Sequence, residues 1–308
     1  MPESFRIAVV GAGAIGSFYG GKLAVGGRDV HFLVRGGFDQ IKRFGIRIRG
    51  RKENFHVENA QVYQTSTEIG PCELVLIALK ATDNDAMLEL IPPLLHRDTI
   101  LLTLQNGLGN EEFLARHFGA ERVMGGLCFI CLNRISPGLI EHLDHGYLNL
   151  GELAGAAKER TRNLAWQFSQ CGVECRVVDH LMEEHWHKLV WNIPFNGLTI
   201  AAGRITTADI LRDHSLRSAA IALMNEVVVG AESCGYNLPI NVVLEQMKRT
   251  ETMGAYKPST LLDFEAGRAL EIEAIWGEPL RRGQAHGAVM PQLEELYWRL
   301  KALDGRGE

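Results

Sequence analysis

Lys188, Asn192 and Asn196 lie four residues apart within the apolar run WHKLVWNIPFN that spans residues 186–196. On a helix, i, i+4 and i+8 share one face, so one ammonium and two amides form a stripe among Leu189, Trp191, Ile193 and Phe195. Polar groups emerging from apolar surroundings need partners or a ligand. The competing reading is a solvated polar face. A proline at 194 between the two asparagines has no N–H to donate and predicts a kink or a local opening there.

A second set of residues is suited to holding phosphate. Gly11-Ala12-Gly13-Ala14-Ile15-Gly16 is G-x-G-x-x-G, set between the apolar run Arg6–Val10 and the helix-compatible stretch Ala14–Val25. In that setting Gly11 permits the tight turn and Gly13 admits a pyrophosphate close to the backbone. Gly16 lets helix and sheet pack closely, while the helix N-terminus offers N–H groups to the anion. Arg35 ends the next strand, nineteen residues past Gly16, where NAD sites usually carry Asp or Glu. Arg pairs instead with a 2′-phosphate, which favours NADP(H). Asp39 keeps NAD as a lesser alternative. Lys80 follows the strand-like run ELVLIAL and is placed for a phosphate. Asn106, in Gln105-Asn106-Gly107, follows TILLTL and can hydrogen-bond the nicotinamide ribose or substrate.

The elements that must carry these residues alternate at first. Strands are expected at Arg6–Val10, Asp29–Val34, Phe55–Val62, Glu73–Leu79 and Thr99–Leu104, with helix-like stretches between them. That order predicts an α/β fold, a Rossmann-type doubly wound and mostly parallel sheet. Beyond Arg176 helices take over, at Leu181–Ile193, Asp209–Ala231, Ile240–Thr250, Leu270–His286 and Gln292–Leu303. A nucleotide-binding domain over residues 1–178 and an all-helical domain over 179–308 follow.

Bulk properties narrow the partners. The chain has 308 residues, 46% of them hydrophobic, and a formal charge of −5. Such a balance offers no basic field for nucleic acid or anionic membrane, so a small-molecule substrate is expected. The N-terminus carries no export signature and no apolar run approaches a membrane span of ~18 residues. A reducing cytoplasmic setting is therefore expected. Cys128 and Cys131 are spaced C-x-x-C, and Cys171 and Cys175 lie four apart. Read as a strand, GGLCFICLN points residues three apart to opposite faces, so the thiols are expected to be buried and structural rather than metal ligands. A homodimer through the helical half is compatible with the sequence.

Taken in order, the glycine turn at residue 11, Ala78-Leu79-Lys80, Asn106-Gly107, Lys188…Asn192…Asn196 and KPSTLLDFEAGRALEIEAIWG at 257–277 resemble the ketopantoate reductase (2-dehydropantoate 2-reductase) family over roughly residues 6–300. The resemblance implies NADPH-dependent reduction of a 2-oxo acid. It implies Lys188 as catalytic lysine, with Asn192 and Asn196 as substrate-binding asparagines and Ser259 as the holder of the substrate carboxylate. Glu271 would sit beside the nicotinamide ribose and the catalytic lysine, Arg35 and Lys80 on the adenosine phosphate, and Asn106 on cofactor and substrate. Hydride addition leaves negative charge on the carbonyl oxygen, which an ammonium can stabilise and protonate. The sequence departs from the family pattern at Pro194, at Arg204-Ile205-Thr206-Thr207, and in the long apolar stretch Gly125–Gly138. Two alternatives differ in chemistry. One is a reductase or dehydrogenase of the same architecture acting on a different 2-oxo or 3-hydroxy acid, or on a phosphorylated substrate that would need extra cations, for which Arg204 and Lys257 are the candidates; the other is a non-catalytic NADP-binding module, which would not need Lys188.

Overall fold

The computed structural model describes residues 5–50 and 53–305. Residues 1–4 and 306–308, which close the expected domain spans, lie outside the described residues, as does part of the N-terminal segment read for an export signature. The chain divides into two compact units. One is Met1–Gln105 with Asn110–Leu181; the other is Asn106–Gly109 with Met182–Glu308.

The first unit is built on a ten-stranded mixed sheet. Its strands are β1 (Arg6–Val10), β2 (Asp29–Leu33), β3 (Ile46–Gly50), β4 (Phe55–Val57), β5 (Gln61–Tyr63), β6 (Leu74–Ile77), β7 (Ile100–Thr103), β8 (Val123–Ser136), β9 (Leu139–Glu152) and β10 (Cys175–Val177). They run in the order β4-β3-β9-β8-β7-β6-β1-β2-β5, with β10 also paired to β9. The centre is parallel, in register through Val10, Leu33, Ile77 and Thr103. The central strands β1, β6 and β7 are apolar over most of their length because both sides are covered. Ile7, Val9, Leu74 and Leu76 face one cluster, and Ala8, Val10, Val75 and Ile77 face another.

The expected strand over residues 55–62 divides in two. Its first half, β4, pairs antiparallel with β3 at one end of the sheet, and its second half, β5, pairs parallel with β2 at the other. Glu58, Asn59 and Ala60 form the link, which at ~3.5 Å per residue keeps the two edges within roughly 14 Å. The sheet therefore curls. Helix α1 (Ala14–Val25) lies within the curl, packed against β3, β4 and β9 as well as β1, β2 and β6. Phe18, Tyr19 and Leu23 bury its apolar face. Shorter helices α2 (Phe38–Phe44), α3 (Ser66–Ile69) and α4 (Met87–Leu90), then α5 (Asn110–Phe118) and α6 (Glu159–Gln170), complete the unit.

The second unit is helical: α7 (Leu181–Ala201, from Met182 on), α8 (Thr207–Arg212), α9 (His214–Ser233), α10 (Val242–Met253), α11 (Ser259–Glu265), a π-helical turn Glu273–Gly277, α12 (Glu278–Ala285) and α13 (Pro291–Asp304). Three sequence expectations need correcting. The helix expected to end at Ile193 continues without a break through Pro194 to Ala201. The turn around that proline is held from outside, because Trp276 Nε1 donates to the Ile193 carbonyl at 3.0 Å. The helix expected over 209–231 breaks at Asp213, whose carboxylate caps α9 by accepting from Leu216 N at 2.9 Å. The stretch 270–286 opens with the π turn rather than with a regular α-helix. Its core joins Trp186, Val190 and Ile193 of α7 to Leu223 and Val227 of α9, Trp276, and Leu293 and Leu300 of α13. Among the described residues no helix is long and apolar enough to cross a membrane.

One buried carboxylate ties α6 to the sheet. Glu152, at the end of β9, accepts from Arg160 Nε at 2.9 Å and Thr161 Oγ1 at 2.6 Å, with Lys158 Nζ 3.3 Å away. Burial pushes its carboxyl upward, but these hydrogen bonds and the charges of Arg160 and Lys158 outweigh that and hold it below the usual range. A lowered folded value stabilises the fold above the unfolded value of ~4.3, and the contribution is lost as pH falls through the folded value. Glu152→Gln should destabilise the fold by about 3 kcal/mol at neutral pH. It should also flatten the loss of stability below pH ~4.3, as read by urea unfolding across pH.

Candidate active site

The rim of the parallel sheet gathers the phosphate-type residues of the first unit. Because β1, β2, β6 and β7 are in register, their C-terminal ends open on one edge, where ligands collect in such sheets. The glycine turn leaves β1 there. Gly11 has φ +99°, a conformation L side chains rarely adopt, and a Cβ on it would stand 2.9 Å from the Ala78 and Leu79 backbone. A Cβ on Gly16 would stand 2.1 Å from the Gly11 carbonyl oxygen, so glycine sets the approach of helix to strand. Gly13 differs: a Cβ there meets nothing within 4 Å. It caps α1, whose first turn holds no acidic residue, so the positive helix end faces open space. The turn, including Ala12, Ala14 and Ile15, fits a pyrophosphate.

Arg35 follows β2 with its side chain 89% exposed, and its Nη1 lies 3.6 Å from Asp83 Oδ1. An exposed pair of this kind is worth under ~1 kcal/mol, so the guanidinium is readily drawn to a stronger anion. Lys80 leads into the 3-10 turn Ala81–Ala86 that carries Asp83, and its carbonyl accepts from Asp83 N at 2.9 Å. The same edge holds a chain of amides that the sequence did not single out. Thr103 Oγ1 donates to Gln105 Oε1 at 2.9 Å, Gln105 Nε2 to Asn84 Oδ1 at 2.8 Å, and Asn84 Nδ2 to Asn110 Oδ1 at 3.1 Å. Its one legible sign was the polar run ATDND after Lys80, which is ordinary loop chemistry.

In the second unit the expected stripe is real. Lys188, Asn192 and Asn196 all lie on α7, Lys188 half-buried and both asparagines buried. Lys188 Nζ donates to Asn106 Oδ1 at 2.9 Å. Asn196 is 4% exposed, and its Oδ1 is buried with no hydrogen-bond partner among the described residues. An orphaned buried acceptor costs about 1–3 kcal/mol, which a donor from a bound molecule would recover.

Asn106 is held by its own loop. Gly107 has φ +85° and lies so close to the π turn that a Cβ would stand 2.2 Å from the Ala274 carbonyl oxygen. Leu108 N donates to that same oxygen at 2.9 Å. Glu271 directly precedes the helical segment, and its carbonyl accepts from Ile275 N at 3.0 Å. The far side of the turn is pinned through Glu273, which accepts from Tyr297 Oη at 2.8 Å, Lys301 Nζ at 3.0 Å and Arg281 Nη1 at 2.7 Å. Burial pushes the Glu273 carboxyl up, but these donors leave it below its usual range. Ser259 opens α11 with its side chain exposed. Lys188 and Asn106 are thus joined directly, Asn192 and Asn196 follow on the same helix, and Glu271 lies just before the turn that holds the Asn106 loop.

The cysteines form no such constellation. Cys128 on β8 and Cys175 on β10 flank Leu148 of β9 from opposite sides. Burial, and to a lesser degree Cys128, pushes the Cys175 thiol up to about 12. Among the described residues no group of three or more His, Cys, Asp or Glu is arranged to hold a metal ion.

A glycine turn on a doubly wound sheet, combined with an all-helical half bearing a lysine and amides, is the architecture of a Rossmann-type oxidoreductase. The profile described as "Ketopantoate reductase PanE/ApbA" matches residues 7–155, and that described as "Ketopantoate reductase PanE/ApbA C terminal" matches 180–304. The chain is 36% identical over 306 residues to a 2-dehydropantoate 2-reductase from Nostoc sp., covering 98% of this chain and 96% of the relative. The crystal structure of a 2-dehydropantoate 2-reductase from Geobacter metallireducens superposes with a TM-score of 0.94 at 43% identity, over 96% of this chain and 99% of that one. That from Methylococcus capsulatus gives 0.89 at 33% identity, over 98% and 97%. The chain belongs to the ketopantoate reductase family.

The two glycines separate packing from ligand contact. Gly16→Ala should destabilise the fold by about 3 kcal/mol, and Gly13→Ala by under ~1 kcal/mol, both read by urea unfolding. Equal losses would remove the distinction.

Proposed function

We propose that this chain catalyses the NADPH-dependent reduction of a 2-oxo acid, with 2-dehydropantoate (ketopantoate) as substrate and pantoate as product. The observation that carries the reading is the 2.9 Å bond from Lys188 Nζ to Asn106 Oδ1. A hydrogen bond to an amide oxygen orients the ammonium, the group that an oxyanion developing on a carbonyl oxygen would need. In this reading residues 1–178 serve the cofactor and 179–308 the substrate.

Gly11, Ala12, Gly13, Ala14, Ile15 and Gly16 hold the pyrophosphate, with the open space at Gly13 in support. Arg35 and Lys80 hold the adenosine 2′-phosphate. Asn106 and Glu271 take the nicotinamide ribose. When bound, the cofactor supplies the hydride that adds to the carbonyl carbon. Lys188 stabilises the charge developing on the carbonyl oxygen and donates the proton that completes the hydroxyl. Asn192, Asn196 and Ser259 orient the carboxylate and hydroxyl groups, and the orphaned Asn196 Oδ1 is suited to accept from a substrate hydroxyl. A phosphorylated substrate is less well served. Lys257 Nζ is paired with Glu265 at 2.7 Å, and the Arg204 guanidinium lies 5.1 Å from the centre of the Phe264 ring.

Lys188→Ala should lower kcat on ketopantoate by about 10²–10⁴-fold while the NADPH dissociation constant, followed by fluorescence, stays nearly unchanged. Undiminished turnover would remove the lysine from the mechanism. Arg35→Asp should erode the preference for NADPH over NADH in kcat/KM by at least about tenfold, as expected for losing a charge-assisted contact. Retained discrimination would assign the 2′-phosphate to another residue.

A further inference from the structure

The Arg35 side chain, almost fully exposed and loosely paired with Asp83, takes its direction from the backbone that carries it. That backbone is intrinsically pliant, because Gly36 and Gly37 follow at once and glycine resists rotation least of all residues. On the strand side the segment is tied down by Val34 N, which donates to the Tyr63 carbonyl at 2.9 Å. On the other side it depends on Gly37, which has φ +78° and caps α2. A Cβ on Gly36 would meet nothing within 4 Å, whereas one on Gly37 would stand 2.2 Å from Pro137 Cβ and 2.6 Å from its Cγ. The Gly37 backbone therefore rests directly on the proline ring.

Pro137 lies at the tip of the β8–β9 hairpin. Each arm of that hairpin has 14 residues, where the central strands have four or five. Register shifts bend it between Phe129 and Ile130, between Cys131 and Leu132, and between Arg134 and Ser136. Its first arm contains the stretch Gly125–Gly138 that departs from the family pattern, and its tip clasps both ends of α2. At the start of α2, Pro137 meets Gly37, and Gln40 Nε2 donates to Ser136 Oγ at 3.3 Å. At its end, a Cβ on Gly138 would stand 2.7 Å from the Gly45 carbonyl oxygen, and the Gly138 carbonyl accepts from Arg47 N at 2.7 Å. Proline fixes its own φ, so the ring is a stiff stop.

We infer that Pro137 is a positioning residue for cofactor choice: its ring holds the Gly36-Gly37 hinge, and with it the direction in which Arg35 presents its guanidinium to the adenosine 2′-phosphate. This rests on the reading of Arg35 as a holder of that phosphate. NADH lacks the phosphate, so loosening the hinge weakens NADPH and leaves NADH where it was. The long hairpin then serves specificity through Arg35 rather than through the cofactor itself.

The test is a fluorescence titration of the whole chain with NADPH and with NADH, for the wild type, Pro137→Gly, Gly37→Ala and Arg35→Asp. Pro137→Gly removes the ring, and Gly37→Ala drives a methyl group into it, so the same contact is disturbed from opposite sides and either variant alone decides. Each should raise the NADPH dissociation constant by about threefold or more, a part of what losing a charge-assisted contact costs. The NADH constant should stay as it was. A merely structural defect would weaken both cofactors alike. If Arg35→Asp erases the preference for NADPH, an unchanged ratio of the two constants in the glycine and proline variants overturns the role of Pro137 alone, as does a loss shared equally by both cofactors. A preference that survives Arg35→Asp, or is absent from the wild type, overturns the reading of Arg35 and the hinge with it.

Discussion

The setting of Asn106 depends on the close approach of two pieces of backbone, joined by a hydrogen bond of 2.9 Å. Gly107 lies against the π turn with no room for a side chain, and Leu108 donates to the Ala274 carbonyl. Any other residue at 107 would need both an unfavourable φ and space that is already filled. Only with that contact closed does the Asn106 amide stand where Lys188 can reach it. π turns often occur at functional positions, and here the extra backbone width is anchored outside by Glu273 with Arg281, Tyr297 and Lys301, and inside by the loop. The setting of Asn106, the hydrogen-bond partner of Lys188, is therefore supported from several helices.

A different economy governs the rim of the sheet. Arg35 there is only loosely held by Asp83. What is fixed there is the backbone turn at Gly11, the close packing at Gly16 and the side-chain hydrogen-bond relay from Thr103 through Gln105 and Asn84 to Asn110. Rigid donors with weakly committed side chains suit a site that must bind and release an anionic ligand repeatedly.

Much of this was legible in the sequence. The central strands announced themselves because burial on both faces makes them continuously apolar, and α1 because its boundaries are set by the glycine turn and by Gly26. The Lys188 stripe was legible because a 3.6-residue period survives in any setting. Long-range choices were not. Phe55–Val62 reads as one strand until pairing sends its halves to opposite edges, and nothing local says that the helix runs on past Pro194 to Ala201. The π turn carries no local signature, since its width is imposed by what packs against it. The family resemblance supplied roles for Ser259 and Glu271 that spacing alone could not have given.

The curl of the first unit has a consequence for life in a crowded solution. Both ends of the ten-stranded sheet are three-residue strands, joined to one another by a three-residue link. An open sheet of this width would present two long rows of unpaired N–H and C=O groups, each a template for another chain. Here each of the two end strands is only three residues long, too short to hold a foreign strand in stable register at those margins.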